Sequence, residues 1–234
     1  HITFYAGLIL SQPSLVAIGL YSALYMIIAL IMVMSRRLIP FFVKSATGET
    51  LLCRPWLDAA SLGFFLLFWL LEVFLAAPAA AAWLALVLCA LHSVRLWDWY
   101  SPQLWRRPLL WVMYASYASL VLGFAVKAAT LWLPLPASLS VHAFAVGGIG
   151  LMTIGMMARV SHGHTGRDIA RPPKTLGWIF LVLLLGVLIR VLWPLIWPAL
   201  YDRWLLWAGI LWIAAFSLFL CSYAKVLVSP RIAD

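Results

Sequence analysis

Residues 175–193 read TLGWIFLVLLLGVLIRVLW, and this stretch decides the fold. Arg190 is its only charge, and nearly every other residue is apolar. About 20 such residues, coiled as an α-helix, cross a bilayer core of about 30 Å. Backbone groups in lipid find no water, so the stretch has to satisfy its own N–H and C=O groups by coiling. The alternation of apolar and polar residues that marks a membrane barrel is absent.

Six comparable runs lie outward from this one, at Leu15–Met34, Trp56–Leu75, Ala79–Leu96, Pro108–Leu133, Ser138–Val160 and Trp204–Val228. With Thr175–Trp193 they make seven expected spans. Hydrophobic residues are 66% of the 234 and charged ones 10%, against about half and a quarter in an ordinary soluble domain. A chain of this length has too little interior to hide that much apolar surface. The fold class is therefore all-α, a polytopic transmembrane helical bundle forming a single domain over 1–234, with the lipid bilayer as its first partner.

A net charge of +9 raises the question of nucleic acid, and the placement of the charges excludes it. The basic residues form no single patch but fall into alternate loops. Arg36, Arg37, Lys44 and Arg54 follow the first span, Arg95, Arg106 and Arg107 the third, and Arg159, Arg167, Arg171 and Lys174 the fifth; Lys225 and Arg231 lie in the tail. The connections Ala76–Pro78 and Leu133–Ala137 hold none. The positive-inside rule puts the basic groups in the cytoplasm, so the chain starts outside and ends inside. The opening His1 to Leu10 looks like the end of an apolar segment already under way, without a signal peptide's basic region and cleavage site. The chain is expected to be the C-terminal part of a longer protein. Cys53, Cys89 and Cys221 are scattered and odd in number, which argues against a disulfide framework.

Motifs for soluble chemistry are missing. There is no Gly-x-Gly-x-x-Gly after a strand, no Walker lysine, no HExxH, and too few carboxylates for a two-carboxylate hydrolase. No catalytic constellation is evident, and the reading leans away from an enzyme. Charges inside spans mark pairs, pathways or cofactors. By topology Glu72, Lys127, Arg190 and His142 share the outer leaflet, so Glu72 is expected to pair with Lys127 or Arg190. An alternative function follows, a transporter or channel whose path is lined by Glu72, Lys127 and Arg190.

The run His142-Ala143-Phe144-Ala145-Val146-Gly147-Gly148-Ile149-Gly150, continuing through Met152, Gly155, Met156 and Arg159 to Gly163-His164-Thr165-Gly166-Arg167, resembles the signature of the NnrS family. Arg37 with Pro40 and Phe42, His92-x-x-Arg95 with Trp97, and residues 111–117 resemble further blocks of that family in the right order. One departure is Tyr114, where the family usually has histidine. Members are bacterial inner-membrane proteins of about twelve spans, each of about 20 residues. They are associated with haem, copper, nitric oxide metabolism and nitrosative stress. The resemblance thus implies haem and copper as cofactors, nitric oxide or a related small molecule as a partner, and missing N-terminal spans of the same protein.

Two clusters of candidate ligands follow. Neutral imidazole is a common ligand of haem iron and copper, so His142, His164 and His92 are the candidate metal ligands. At 1.5 Å per residue His142 and Met156 are separated by about 21 Å along the axis and cannot share a metal. The outer cluster is His142, with His1, Glu72, Lys127 and Arg190. The inner one is His92, Arg95, Tyr114, Tyr117, His164 and Arg167, with Arg37 nearby. On a wheel of 100° per residue His142, Met152, Met156 and Arg159 share one sector, while Gly147 and Gly150 fall outside it. The glycines read as close-packing positions. His162, beside Gly163, reads as a solvated loop residue.

Overall fold

The computed structural model describes residues 1–231, and every regular element among the described residues is helical. A short helix α1 (Ile2–Ile9) precedes seven helices long and apolar enough to cross a membrane. These are α2 (Pro13–Thr47), α3 (Pro55–Phe74), α4 (Pro78–Asp98), α5 (Pro108–Ala129), α6 (Ala137–His164), α7 (Thr175–Ile196) and α8 (Pro198–Val228). All seven expected spans are present, and the molecule is a multi-pass membrane protein. Helices α2 to α5 each open on a proline, where its fixed φ suits the first turn and its missing N–H costs nothing.

Most of the first basic group is not in a loop. Helix α2 runs unbroken through Pro40 for 35 residues, or about 52 Å at 1.5 Å per residue. That exceeds the bilayer core of about 30 Å, so its last turns, carrying Arg36, Arg37 and Lys44, emerge from the apolar layer. Gly48 ends it with φ 78° and donates its N–H to the Lys44 carbonyl, the left-handed stop that glycine makes cheaply. The opening residues form α1, which lies along the outside of α2, with Gly7 against Val16 and Gly19 against Phe4.

Helix α5 is the centre of the bundle, packed against α2, α4, α6 and α7. Its apolar window is 67% buried, against 17% for α2 and for α8, whose outer faces are left for lipid. Small residues fix how α5 meets α6. A β-carbon on Gly123 would overlap the Phe144 ring, and β-carbons on Gly147, Gly148 and Gly155 would overlap Ser119, Leu120 and Val112. Without the glycines the two backbones could not come so close.

Within α6, residues Ala143–Gly150 are wound as a π-helix, a winding that proteins use sparingly and often beside functional sites. The Ser116 hydroxyl of α5 donates to the Gly148 carbonyl at 2.6 Å. This stretch corrects the wheel drawn at 100° per residue. His142 faces Arg190 of α7, whereas Arg159 lies over the Phe42 ring of α2, so the two point to different neighbours. Exposed Trp56, Trp97, Tyr100 and Trp105 ring the basic end, and exposed Trp83, Trp132 and Trp197 ring the other, as in the two aromatic belts of membrane proteins.

Candidate functional site

The buried face of α4 is Ala81, Ala85, Leu88, His92 and Arg95, steps of three and four that continue a helical stripe. It carries the imidazole and guanidinium against Tyr117 of α5. Arg95 Nη1 donates to the Tyr117 oxygen at 2.8 Å, and that oxygen is 2.7 Å from His92 Nδ1. Arg95 Nη1 also faces His92 Nδ1 at 3.4 Å and can only donate, so Nδ1 is the acceptor and the phenolic proton is directed at it. The hydrogen of the neutral imidazole is then on Nε2, which is buried without a partner among the described residues. His92 stacks on Phe124 with centroids 5.6 Å apart and planes 9° from parallel. In this tautomer Nε2 is a donor and offers no lone pair to a metal.

Asp58, which the sequence reading passed over, neutralises the group. Its Oδ1 accepts from Arg95 Nη2 at 2.7 Å, and Oδ2 is 3.6 Å from Arg36. An acid in the first turn of a span reads as an ordinary helix-start residue, so nothing in the sequence tied it to an arginine 37 positions on. Tyr114 takes no part. Its hydroxyl donates to the Leu96 carbonyl at 3.0 Å and its ring meets Tyr100 and Trp105. Arg37 is exposed on α2.

His142 is arranged the opposite way. Its Nδ1 is 2.5 Å from the Ser138 carbonyl, which can only accept, so Nδ1 carries the hydrogen and Nε2 keeps its lone pair. A metal-ligating histidine is held in just this way by its outer partner. Nε2 faces Arg190 Nη2 at 3.2 Å, and the same Nη2 donates to Tyr201 at 3.1 Å. Arg190 is 5% exposed, and its Nε and Nη1 are buried without partners among the described residues. These groups line a 250 Å³ cleft with Val146, Leu205, Ala208 and Trp212. Of the other expected outer members, His1 is exposed just before α1. Glu72 pairs with Lys127 at 2.5 Å, whereas Arg190 turns to His142 and Tyr201.

The end of α6 requires a second correction. The helix continues past Val160 to His164, and its buried stripe of Leu151, Gly155 and Ala158 arrives at His162. His162 is 3% exposed, while His164, two residues on, is exposed. Nδ1 of His162 faces the Ala158 carbonyl at 3.2 Å and the Tyr223 hydroxyl at 3.3 Å. The carbonyl takes the Nδ1 hydrogen, as at His142. His92 and Tyr114 find their partners on α4 and α5, and His164 is partner to neither. Arg167 donates its backbone N–H to the His162 carbonyl at 3.0 Å, and its Nη1 is buried without a partner among the described residues. His162 and Arg167 line a 430 Å³ opening with Arg171. Ending the span at Val160 had concealed the stripe that would have marked His162.

Among the described residues no group of three or more His, Cys, Asp or Glu could hold a metal ion. Cys53 lies outside the spans, and burial, then Asp58, pushes its thiol up from the ordinary value, which disfavours the thiolate a metal would take. The bundle of seven long apolar helices, with imidazole–guanidinium groups buried in it, defines a polytopic membrane protein. The chain belongs to the NnrS protein family, whose description matches residues 1–231. No curated protein matches it, and no solved structure does.

Proposed function

We propose that the protein is a haem-binding member of its family, acting on nitric oxide or a related small molecule in the nitrosative stress response of a bacterial inner membrane. Its basic end faces the cytoplasm. The observation that carries the reading is His142, an intramembrane imidazole whose Nδ1 is anchored and whose Nε2 lone pair borders a cleft shared with an unpaired arginine. The donor set fits haem: imidazole suits the iron, and the orphaned Nε and Nη1 of Arg190 suit a propionate. When bound, haem supplies an iron centre able to take a diatomic ligand.

The chain's own residues orient and release. Ser138 holds the tautomer, and Tyr201 holds Arg190 against His142. An anion that draws the guanidinium toward itself uncovers Nε2. Val146, Leu205 and Trp212 supply the apolar walls of the cleft. Copper does not fit in the same way, since no three-ligand set is present among the described residues and His162 and His164 point to different surroundings. We derive no step through it.

An optical spectrum of the full-length protein, purified from membranes, tests the reading. A Soret band that nitric oxide shifts is expected, lost or displaced in His142→Ala and unchanged in His164→Ala. A colourless protein, or a His142→Ala variant that folds normally and keeps the wild-type spectrum, removes His142 from the role.

A further inference from the structure

A second cleft, of 410 Å³, opens at the basic end, remote from the His142 cleft. It is bounded by Ser45 at the end of α2, Arg106 and Arg107 before α5, Arg159 of α6, the first turn of α5, and the segment from Asp168. The three arginines converge there from separate parts of the chain. None of them belongs to any ion pair among the described residues. The one carboxylate on the wall, Asp168, is already engaged by the Ala170 N–H at 2.8 Å and by Arg171 at 3.7 Å. The cleft therefore concentrates positive charge that the described chain leaves unbalanced.

We propose that this cleft binds a phosphate group, either the headgroup of an anionic phospholipid or a water-soluble phosphate. Arg159 is half-buried and lies over the Phe42 ring with its guanidinium carbon 3.6 Å from the centroid. Stacking of this kind holds the guanidinium plane while leaving its N–H edge for a ligand. Planar forks match phosphate oxygens in pairs. Helix α5 adds to this, since Arg107 gives its N-terminus no side-chain cap and the helix dipole favours an anion there. The level is also right. Exposed Trp97 and Trp105 lie at the same end, where aromatic rings meet the headgroups, and basic pockets between membrane helices take anionic headgroups.

Native mass spectrometry of the full-length protein with defined lipids tests the proposal. Phosphatidylglycerol and cardiolipin should be retained over phosphatidylcholine, and each arginine removed should weaken retention about fivefold. Arg107→Gln with Arg159→Gln should weaken it about 25-fold by the same rule. Arg106 is exposed, so Arg106→Gln leaves the fold intact and should still lower retention about fivefold. Lys174→Gln, an exposed charge at the same end but outside the cleft, should change nothing. Competition of the lipid by pyrophosphate points to a soluble phosphate as the occupant, and lipid retention without competition points to a headgroup. Retention unaltered by all three arginine changes, together with no stabilisation by pyrophosphate, overturns the proposal. So does an equal loss in Lys174→Gln, which would make the attraction a property of the whole basic end.

Discussion

Replacing Glu72 by Gln should be among the most damaging single changes in the bundle. The Glu72 and Lys127 side chains are 19% and 8% exposed, with their charged atoms 2.5 Å apart. At an effective dielectric of about 20 their attraction is about 7 kcal/mol, much of it offset by the cost of taking both ions out of water. Removing one partner leaves the other buried and uncompensated, which costs about 3–5 kcal/mol. A change of this size lowers the midpoint of thermal unfolding by on the order of 10 °C in a chain of this length. Lys127→Met should do similar harm. The double variant Glu72→Met with Lys127→Met should recover most of the loss, because a neutral apolar pair fits a site already packed by apolar neighbours. The assay is thermal unfolding of the purified protein in one detergent, followed by circular dichroism. Additive losses in the double variant would refute the coupling. Rescue of Glu72→Gln by neutralising Arg190 instead would show that the wrong cation had been assigned.

Two further outcomes are expected. Single cysteines placed at Pro78 and Pro136 should react with an impermeant thiol reagent added outside intact cells and one at Ser45 should not, whereas labelling at Ser45 alone would reverse the orientation. Tyr117→Phe should lower stability by about 1–3 kcal/mol, because Arg95 and His92 both lose a buried partner; an unchanged denaturation midpoint would mean that water replaces the hydroxyl.

The spans and the basic end were legible in the sequence because both are averages over many residues. An apolar run such as 175–193 reports its environment whatever its neighbours do. Glu72 was legible for a related reason, since an acid at that depth has to find a cation, and Lys127 was one of two at the right level. Helix ends were not. Nothing in the hydropathy of 35–47 shows that α2 continues past the lipid, since an emerging helix and a polar loop have the same composition. That ambiguity mattered most at α6, where four more helical residues exchange the roles of His162 and His164. Histidine tautomers were beyond the sequence altogether. Whether His92 offers a lone pair or a hydrogen depends on Tyr117 and Arg95 meeting across two helices. The winding of Ala143–Gly150 was also hidden, because a π-helix and an α-helix draw on the same apolar and small residues.

The reciprocal glycine contacts between α5 and α6 also constrain motion. Phe144 of α6 enters the gap at Gly123 of α5, while Ser119, Leu120 and Val112 of α5 enter gaps at Gly147, Gly148 and Gly155 of α6. Interlocked in both directions, the two helices can neither slide nor roll past one another, and they behave as one stiff beam. His142 and Val146 are fixed to that beam, while Leu205, Ala208 and Trp212 stand on α8, which is little buried and is joined to α7 through Pro194 and Pro198. Any widening of the His142 cleft therefore has to come from the other side, where α7 carries Arg190 and α8 packs along it.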